Sequence, residues 1–324
     1  MRNRRDHATS ATLVPPNMLL NFTLNGTVPL LYEYANENDV LLPSGENSGN
    51  NRSSSNDTTW VVGRRYFSKQ QLVNILVEQL TMMREERFSA KHRRALQPQI
   101  VFLEMVSRLR VLTEGKEVLV VGSLDYPVIE VALLEGGGAS RVFSVDYRPI
   151  LTEFQNIIGY DPDEFWAFYS NDSEATSLGP EVVRPPSKFD VIVAYSSLHH
   201  DGLGRYGDAV DPFGDLHSMS ELWSLLKVGG LLYLNVPVGN DCVLFNKFRV
   251  YGRRRLPLLL YGWEVVHVVH LRDGWFEDNQ CEGTLQKSAL FVLRKVRLEE
   301  YDMWMELCKV KGLLGPFPLY NRPR

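Results

Sequence analysis

Hydrophobic residues in the middle of the chain fall into short runs that alternate with segments of helical spacing. Val118 to Val121, Arg141 to Val145 and Phe189 to Tyr195 are apolar runs of the kind found in strands buried on both faces of a parallel sheet. Helical spacing follows in Val128 to Leu134 and in Met219 to Leu226. Strands that alternate with helices predict a doubly wound α/β fold.

Further extended segments complete this pattern. Trp166 to Tyr169 is predicted to be a third strand that ends near Asp172, and Leu231 to Val236 a fifth strand that follows Gly229-Gly230. Near the end of the chain, two more segments are predicted to be extended, with a polar loop between them: Trp263 to His270 and Ala289 to Val296.

The N-terminal third lacks this alternation of strands and helices and contains a long polar segment instead. Pro43 to Thr59 is seventeen residues without a hydrophobic side chain, which predicts a flexible linker after a weakly structured arm with a short strand around Val28 to Tyr34. Ser68 and Gln71 form a capping-box pattern before an amphipathic helix, and Ile100 to Leu112 predicts a second helix. We therefore expect an arm with its linker, a helical extension, a main α/β domain and a tail, at residues 1–59, 60–115, 116–300 and 301–324.

Composition and charge narrow the class of protein. The chain is 44% hydrophobic and 23% charged, which indicates a globular protein with a sizeable core rather than a disordered or fibrous one. Its 35 Lys and Arg against 39 Asp and Glu give a net charge of -4, so no nucleic-acid partner is expected. No apolar run approaches the roughly eighteen residues of a membrane-spanning helix.

Cysteines and glycosylation sequons bear on the compartment. Three cysteines, Cys242, Cys281 and Cys308, are too few and too scattered to predict a disulfide framework or a zinc site. No apolar segment of signal-peptide length follows the basic start, which slightly favours a cytoplasmic location. The secretory pathway stays open because Asn-x-Ser/Thr sequons, which matter only in secreted proteins, occur at Asn21, Asn25, Asn51, Asn56 and Asn171.

Polar residues with possible chemistry follow the predicted strands. Ligands of open parallel sheets bind outside the carboxyl ends of the strands, where the strand order reverses. Gly122 follows the first strand and Asp146 the second, placed for a carboxylate to accept both hydroxyls of a ribose. Asp172 follows the third strand, within reach of an adenine. The fourth strand is followed by four residues where a substrate would meet a cofactor: Ser196, Ser197, His199 and His200.

Two features favour a methyl donor over a dinucleotide. Gly122 is not part of a G-x-G-x-x-G turn, and the residues after it are too bulky for the close backbone approach of a pyrophosphate. LLKVGGLLYL (Leu225 to Leu234) supplies the helix, Gly-Gly turn and fifth strand typical of seven-stranded methyltransferases.

Residues 117–295 resemble class I S-adenosylmethionine-dependent methyltransferases, whose sheet is doubly wound, Rossmann-like, mostly parallel and closed by a C-terminal antiparallel hairpin. A more specific resemblance lies in HHDGLGRYGDAVDPFGDLHSM (His199 to Met219), VPVGND (Val236 to Asp241) and FNKFRVYGRRRLPLLLYGWE (Phe245 to Glu264). In these blocks the chain resembles the family named domain of unknown function 268, which is itself similar to methyltransferases.

The resemblance implies a set of cofactor contacts. S-adenosylmethionine would be held by residues at the ends of the first four strands, namely Gly122, Ser123, Asp125, Asp146, Tyr147, Asp172 and Ser196. Class I enzymes usually carry an acid two residues before the first glycine and two further glycines after it. Here those positions are Val120, Leu124 and Tyr126, and Asp125 is a candidate for a displaced carboxylate.

The loop after the fourth strand supplies candidates for catalysis. Methyl transfer to an alcohol or acid needs a base for the proton of the nucleophile, and a histidine of near-neutral pKa suits this task. The catalytic candidates are His199, His200, Arg205 and Asp208, and the acceptor-binding candidates are Tyr206, Asp211, Arg249 and Arg253. An alternative interpretation of Asp208, Asp211 and Asp215 is that they cap turns and the following helix. No spacing supports a metal site.

Three functions remain open at this point. The first is transfer of a methyl group from S-adenosylmethionine to a small polar or glycan-type acceptor. The second is a catalytically inactive methyltransferase-like protein that acts as a binding or scaffold protein, which the altered first loop favours. The third is a nucleotide-dependent sugar-modifying enzyme. The acceptor atom and the oligomeric state do not follow from the sequence.

Overall fold

The computed structural model describes residues 14–32, 59–61, 64–84, 112–123, 126–169, 183–269, 271, 273–277, 281 and 287–297. In chain order its strands are β1 (Leu30–Tyr32), β2 (Thr59–Val61), β3 (Arg64–Phe67), β4 (Glu117–Val121), β5 (Arg141–Val145), β6 (Ile150–Thr152), β7 (Ile157–Tyr160), β8 (Phe189–Tyr195), β9 (Leu226–Pro237), β10 (Cys242–Phe245), β11 (Phe248–Val250), β12 (Glu264–Val269) and β13 (Ser288–Arg294). The α-helices are α1 (Leu19–Phe22), α2 (Lys69–Arg84), α3 (Val128–Val131), α4 (Pro162–Ala167), α5 (Gly214–Leu225) and α6 (Arg255–Leu259).

A seven-stranded sheet organises these elements, with the strand order β12-β13-β9-β8-β4-β5-β7. Strands β7, β5, β4, β8 and β9 run parallel to one another, whereas β13 runs antiparallel to both β9 and β12. The strand order reverses between β4 and β8. This confirms the predicted doubly wound, mostly parallel, Rossmann-like sheet with an antiparallel C-terminal hairpin.

Both faces of the sheet are covered, which explains the continuous apolar runs in the sequence. Within β4, Leu119 packs into one core with residues of α4, α5 and α6, while Val118 and Val120 pack into a second core with residues of α2 and α3. The same alternation holds along β8, where Ile192 belongs to the first core and Val193 to the second. Side chains that alternate in direction therefore meet apolar partners on either side.

The third strand of the sheet differs from the prediction. It is β7, whereas Trp166 lies in α4 and the segment Trp166 to Tyr169 is not a strand. Asp161 begins this helix with a capping box, because its side chain accepts the backbone N–H of Glu164 and the Glu164 carboxylate accepts that of Asp161. The predicted helix at 100–112 lies outside the described residues except for Leu112.

The N-terminal segments are built into the domain. The predicted short strand is present as β1, which pairs in parallel with β10, and Phe22 is fully buried beside Phe245. Strand β3 pairs in parallel with β6. Helix α2 begins after Ser68, whose hydroxyl accepts the backbone N–H of Gln71 at 3.1 Å, as the capping pattern predicted.

Two of the cysteines are joined. Cys242 in β10 forms a disulfide with Cys281, with a Cα–Cα distance of 6.3 Å, and both side chains are buried beside Leu244 and Phe248. Their 39-residue separation gave no indication of this pairing, because it depends on how the chain after β12 returns to β10. None of the helices in the described ranges combines the length and hydrophobicity that a bilayer crossing requires.

Candidate active site at the switch point

The end of β4 lies beside the point where the strand order reverses, and it meets the end of the neighbouring strand β5. Gly122 has a φ of +77°, and a Cβ placed on it would collide with the Ser197 side chain at the end of β8. The backbone N–H of Ser123 donates to Oδ2 of Asp146 at 2.9 Å, and that of Arg148 donates to Oδ1 at 2.7 Å. The carboxylate expected to bind a ribose is thus fixed by two backbone donors.

Arg65 balances the charge of this carboxylate. Its guanidinium lies 3.8 Å from Oδ1 of Asp146, and its Nε donates to the carbonyl of Arg148 at 2.9 Å. Burial raises the pKa of Asp146, while Arg65 and the backbone donors from Arg148 and Ser123 oppose that rise. Sequence reasoning missed Arg65, because it comes from β3, more than eighty residues before Asp146 in the chain.

A buried acid lies behind the first loop. Glu130 in α3 is fully buried, and its Oε1 accepts the hydroxyl of Ser144 at 2.8 Å. Burial raises the pKa of Glu130, against smaller effects of the Ser144 and Ser123 hydroxyls and of Arg65. The sequence does carry a signal for this buried acid, because Glu130 is a charged residue within an apolar helical segment.

The chain turns sharply after β8, and Ser197 in this turn lies against Gly122. Ser196 has a φ of 55°, which is uncommon for a residue with a side chain and often marks functional turns. A short 3-10 helix, Leu198–His200, then places the rings of His199 and His200 with their centroids 3.9 Å apart.

The environments of the two histidines differ. His199 is buried, and its Nδ1 has no hydrogen-bond partner among the described residues. His200 donates from Nδ1 to the carbonyl of Lys247. Burial lowers the pKa of His199 well below its usual value and that of His200 to about 4. Both rings are therefore neutral near pH 7, and the Nδ1 bond leaves Nε2 of His200 as the proton-accepting atom.

An aromatic pair forms one side of the site. The ring of Tyr147, directly after Asp146, stacks on Tyr206 with the centroids 5.9 Å apart. His200 meets the Tyr206 ring edge-on at 5.7 Å, and the Arg205 guanidinium lies 5.5 Å from the same ring. The glycine-rich loop after β8 therefore brings Arg205 and Tyr206 to the end of β5.

The aspartates of that loop bind the protein itself. Asp208 is buried and accepts the backbone N–H groups of Gly204 and Tyr206, both at 3.1 Å. Asp211 accepts the backbone N–H of Phe213 at 2.9 Å and contacts Nδ1 of His217 at 2.7 Å. These contacts match the turn-capping interpretation of both aspartates, and their roles in catalysis and acceptor binding stay predictions.

The basic cluster separates into buried and exposed members. Arg249 and Arg255 are fully buried around Asp215, and Arg249 also donates to the carbonyls of Asp201 and Asp211. Burial argues against a direct substrate contact for Arg249. Asp215 lies within the first turn of α5 and pairs with Arg255, so the predicted capping role is wrong. Arg253 is exposed and lies 3.2 Å from Glu277.

The structure thus brings five of the seven predicted cofactor residues together and does not describe the other two. Gly122, Ser123, Asp146, Tyr147 and Ser196 lie at adjacent strand ends, with His199, His200, Arg205 and Tyr206 beside them. Asp125 and Asp172 lie outside the described residues. Within the described ranges, no three His, Cys, Asp or Glu side chains are grouped as ligands of a metal ion would be.

The residues of this site lie within a segment that matches a known protein family. Residues 115–290, more than half of the chain, match the family described as Caenorhabditis protein of unknown function, DUF268. The chain belongs to the DUF268 family. The matched residues run from the turn before β4 into β13, so this DUF268 region contains the switch point and the loop after β8. Among curated proteins, no sequence relative of the chain was found.

Several solved structures are similar to the DUF268 chain in overall arrangement. One is the 1,6-didemethyltoxoflavin-N1-methyltransferase of Burkholderia thailandensis, solved with S-adenosylhomocysteine, at 17% identity and a TM-score of 0.37, covering 68% of this chain and 90% of that one. Another is a SAM-dependent methyltransferase from Aquifex aeolicus, at 15% identity and a TM-score of 0.35, covering 67% and 96%.

Proposed function

We propose that this DUF268 protein is an S-adenosylmethionine-dependent methyltransferase that acts on a small polar or glycan-type acceptor. The observation that carries the proposal is the position of Asp146. Its carboxylate lies at the end of β5 and accepts the N–H of Ser123, which follows β4 beside the point where the strand order reverses. Open α/β sheets bind nucleoside cofactors at this position.

The hydrogen-bond acceptors present fit the ribose end of such a cofactor. Each oxygen of Asp146 accepts one backbone N–H, and a carboxylate has about four acceptor positions, so capacity for two hydroxyls remains. Ser196 and Tyr147 follow β8 and β5, the strands on either side of β4. Asp125 and Asp172 remain candidates on the sequence alone. S-adenosylmethionine would supply an electrophilic methyl group on a sulfonium, and the residues of the chain would position and deprotonate the acceptor.

His200 is the proposed proton acceptor, with His199 behind it. The Lys247 carbonyl holds Nδ1–H of His200, so Nε2 can accept a proton from the acceptor nucleophile. A pKa of about 4 makes this ring a weak base at neutral pH. We therefore assign most of the rate to alignment of the nucleophile with the methyl group, and less to proton transfer.

The acceptor would lie against Arg205 and Tyr206. Tyr206 offers an apolar ring face and a hydroxyl, a combination that suits the polar and apolar surfaces of a sugar or another small polar molecule. Asp208 and Asp211 hold the loop that carries both side chains, and Arg249 binds that loop from below. Arg253 is exposed, and its role as an acceptor contact stays a prediction.

The second candidate function is a methyltransferase-like binding or scaffold protein without catalysis. Its support is the packing of the Gly122 turn against Ser197, together with the ion pair of Arg65 with Asp146. Both contacts occupy the switch point with groups of the chain itself. The absence of the second and third glycines of the usual first loop agrees with this alternative.

Calorimetric titration of S-adenosylmethionine and S-adenosylhomocysteine into the full chain separates these functions. We expect micromolar binding that Asp146→Asn weakens at least about tenfold, because a hydrogen bond to a charged group contributes about 1.5–3 kcal/mol. Asp190→Asn is the matched control, since Asp190 lies at the opposite end of the sheet and pairs with Lys227. Circular dichroism checks that both variants are folded.

Other outcomes decide against the proposal. No binding of either compound by the wild-type chain would rule out the methyltransferase and leave the scaffold function. Binding of a uridine or guanosine diphosphate sugar in the same titration, with no binding of S-adenosylmethionine, would instead favour a sugar-modifying enzyme.

A further inference from the structure

The disulfide lies in a small sheet, and one pair of sequons lies in the segment that leads into a strand of that sheet. Strand β10, which contains Cys242, pairs with β1, and residues 19–27 lead directly into β1. Asn21 and Asn25 are both exposed there, on either side of the buried Phe22. Disulfides form and persist in oxidising compartments, and N-glycosylation sequons are used in the secretory pathway. Two independent features of adjoining segments thus indicate the same compartment.

The geometry of Asn25 suits a bulky modification in the folded protein. Asn25 occupies a left-handed turn position with a φ of 58°, and the space around the following Gly26 is open to at least 4 Å. Within the described part of the chain, the Asn25 side chain makes no hydrogen bond, whereas its backbone N–H donates to the Leu20 carbonyl at 2.7 Å. A glycan on this amide would leave the buried contacts of the turn intact.

The disulfide is an internal part of this sheet rather than a surface crosslink. Both sulfur-bearing side chains are buried with Leu244, Phe248 and Val250, and Leu31 of β1 packs against the same cluster. A thiol pair at this position would be shielded from solvent, and its oxidation requires an environment that accepts the electrons during folding.

We propose that Asn25 is an N-glycan acceptor and that the chain matures in an oxidising secretory compartment. In the glycan transfer, the side-chain amide nitrogen of Asn25 attacks the anomeric carbon of a polyprenyl-pyrophosphate-linked oligosaccharide. The new C–N bond replaces the anomeric C–O bond, the lipid pyrophosphate leaves, and the amide proton passes to a base. In disulfide formation, the Cys242 and Cys281 thiols give two protons and two electrons to the disulfide of an oxidoreductase. The inference runs against the cytoplasmic location that the sequence alone slightly favoured.

The test uses the full-length protein isolated from the cells that make it. Enzymatic deglycosylation in ¹⁸O-labelled water should convert Asn25 to labelled aspartate, which peptide mass spectrometry detects. Alkylation of the denatured protein should modify Cys242 and Cys281 only after reduction. An unlabelled Asn25, or alkylation of both cysteines before reduction, would overturn the proposal.

Two variants introduced into the gene test whether the label at Asn25 comes from the removal of a glycan. Thr27→Ala removes the sequon and should abolish the label at Asn25, whereas Thr27→Ser keeps the sequon and should retain it. Thr27 is exposed and its hydroxyl bonds locally to the Leu24 carbonyl, so neither change affects the core. Label that persists in Thr27→Ala would show spontaneous deamidation rather than glycan removal, and would also overturn the proposal. These results do not depend on methyl transfer, so this inference and the proposed function can fail separately.

Discussion

At the residue scale, the most consequential group is a buried carboxylate among buried cations. Asp215 contacts Arg255 at 2.6 Å and accepts the Tyr251 hydroxyl at 2.9 Å, while Nε of Arg249 lies 3.8 Å away. Burial opposes ionisation of Asp215, but Arg249 and Arg255 outweigh it, so the pKa of Asp215 is lowered. Neither arginine can lose its charge readily, which makes the carboxylate essential to both.

Replacement of Asp215 by asparagine should therefore be costly. We expect a loss of about 3–5 kcal/mol in the free energy of unfolding, because two buried guanidinium groups lose their counter-charge. Urea denaturation followed by circular dichroism measures this change. The exposed pair Lys227–Asp190 supplies the control, since Asp190→Asn should cost at most about 1 kcal/mol. Equal costs for the two variants would contradict this account of the cluster.

Asp201 and His200 should give opposite dependences of stability on pH. Burial raises the pKa of Asp201 from 3.8 to about 7. The free energy of unfolding that this shift contributes is therefore lost as the pH rises from about 4 to 7, because the unfolded chain releases the proton of Asp201 more readily than the folded chain does. Burial lowers the pKa of His200 to about 4 from 6.5, so stability is lost as the pH falls from about 6.5 to 4, because the unfolded state takes up the proton.

Two variants separate these effects. Relative to the wild-type protein, Asp201→Asn should become more stable by roughly 1–3 kcal/mol as the pH rises through this range. His200→Gln should gain relative stability as the pH falls. Urea titrations at several pH values between 4 and 7 measure both trends, and a difference from wild type that does not vary with pH would show that the group does not titrate in this window.

At the scale of elements, the segment 14–32 is a part of the fold rather than a loose arm. Phe22 contacts Phe245 with the ring centroids 5.7 Å apart, and its cluster includes Leu203 and Val210 of the loop after β8. The segment therefore packs directly on the loop that carries Arg205 and Tyr206. We therefore expect the order of this segment and the order of the loop after β8 to be coupled through this contact.

Phe22→Ala should release this segment. We expect roughly 3–5 kcal/mol of lost packing, which exceeds what the short strand β1 supplies, and faster amide exchange in residues 14–32 and 201–213. Hydrogen–deuterium exchange with peptide resolution measures this. Leu20→Ala in the same helix is the control, because Leu20 is 62% exposed and its removal should change exchange little. Unchanged exchange in the loop after β8 would show that the two segments are not coupled.

At the scale of the whole molecule, the disulfide joins the small sheet to the segment between the two strands of the C-terminal hairpin, β12 and β13. Cys242 and Cys281 are separated by 39 residues, which include α6 and β12. Crosslinking a loop of this length restricts the unfolded chain and contributes about 2–4 kcal/mol in the chain-entropy account.

Reduction should accordingly lower the midpoint of urea unfolding. We expect a loss of about 2–4 kcal/mol on treatment of the full chain with a thiol reductant, measured by circular dichroism. The double variant Cys242→Ala with Cys281→Ala should show a comparable loss and no further response to reductant, whereas Cys308→Ala should respond as the wild type does. A reductant effect that persists in the double variant would attribute the loss to another cause.

Apart from the third strand, which is β7 and not Trp166 to Tyr169, the sequence by itself determined the sheet and the positions at its carboxyl edge. Runs such as Phe189 to Tyr195 must be buried on both faces, and the residues that follow parallel strands must share one edge, so Gly122, Asp146 and Ser196 could be placed together without coordinates. Local chemistry also predicted the capping of α2 by Ser68, because a cap involves residues close in sequence.

Tertiary structure decided the remaining features, and all of them join residues far apart in the chain. The pairing of Arg65 with Asp146, of Arg255 with Asp215 and of Cys242 with Cys281 depends on which segments meet, and composition or periodicity carries no record of that. The same holds for Arg249, a charged side chain that the sequence offered as a contact of the acceptor and that packing buries. Periodicity reports which side of a strand or helix is apolar, whereas the fold alone selects the partner on that side.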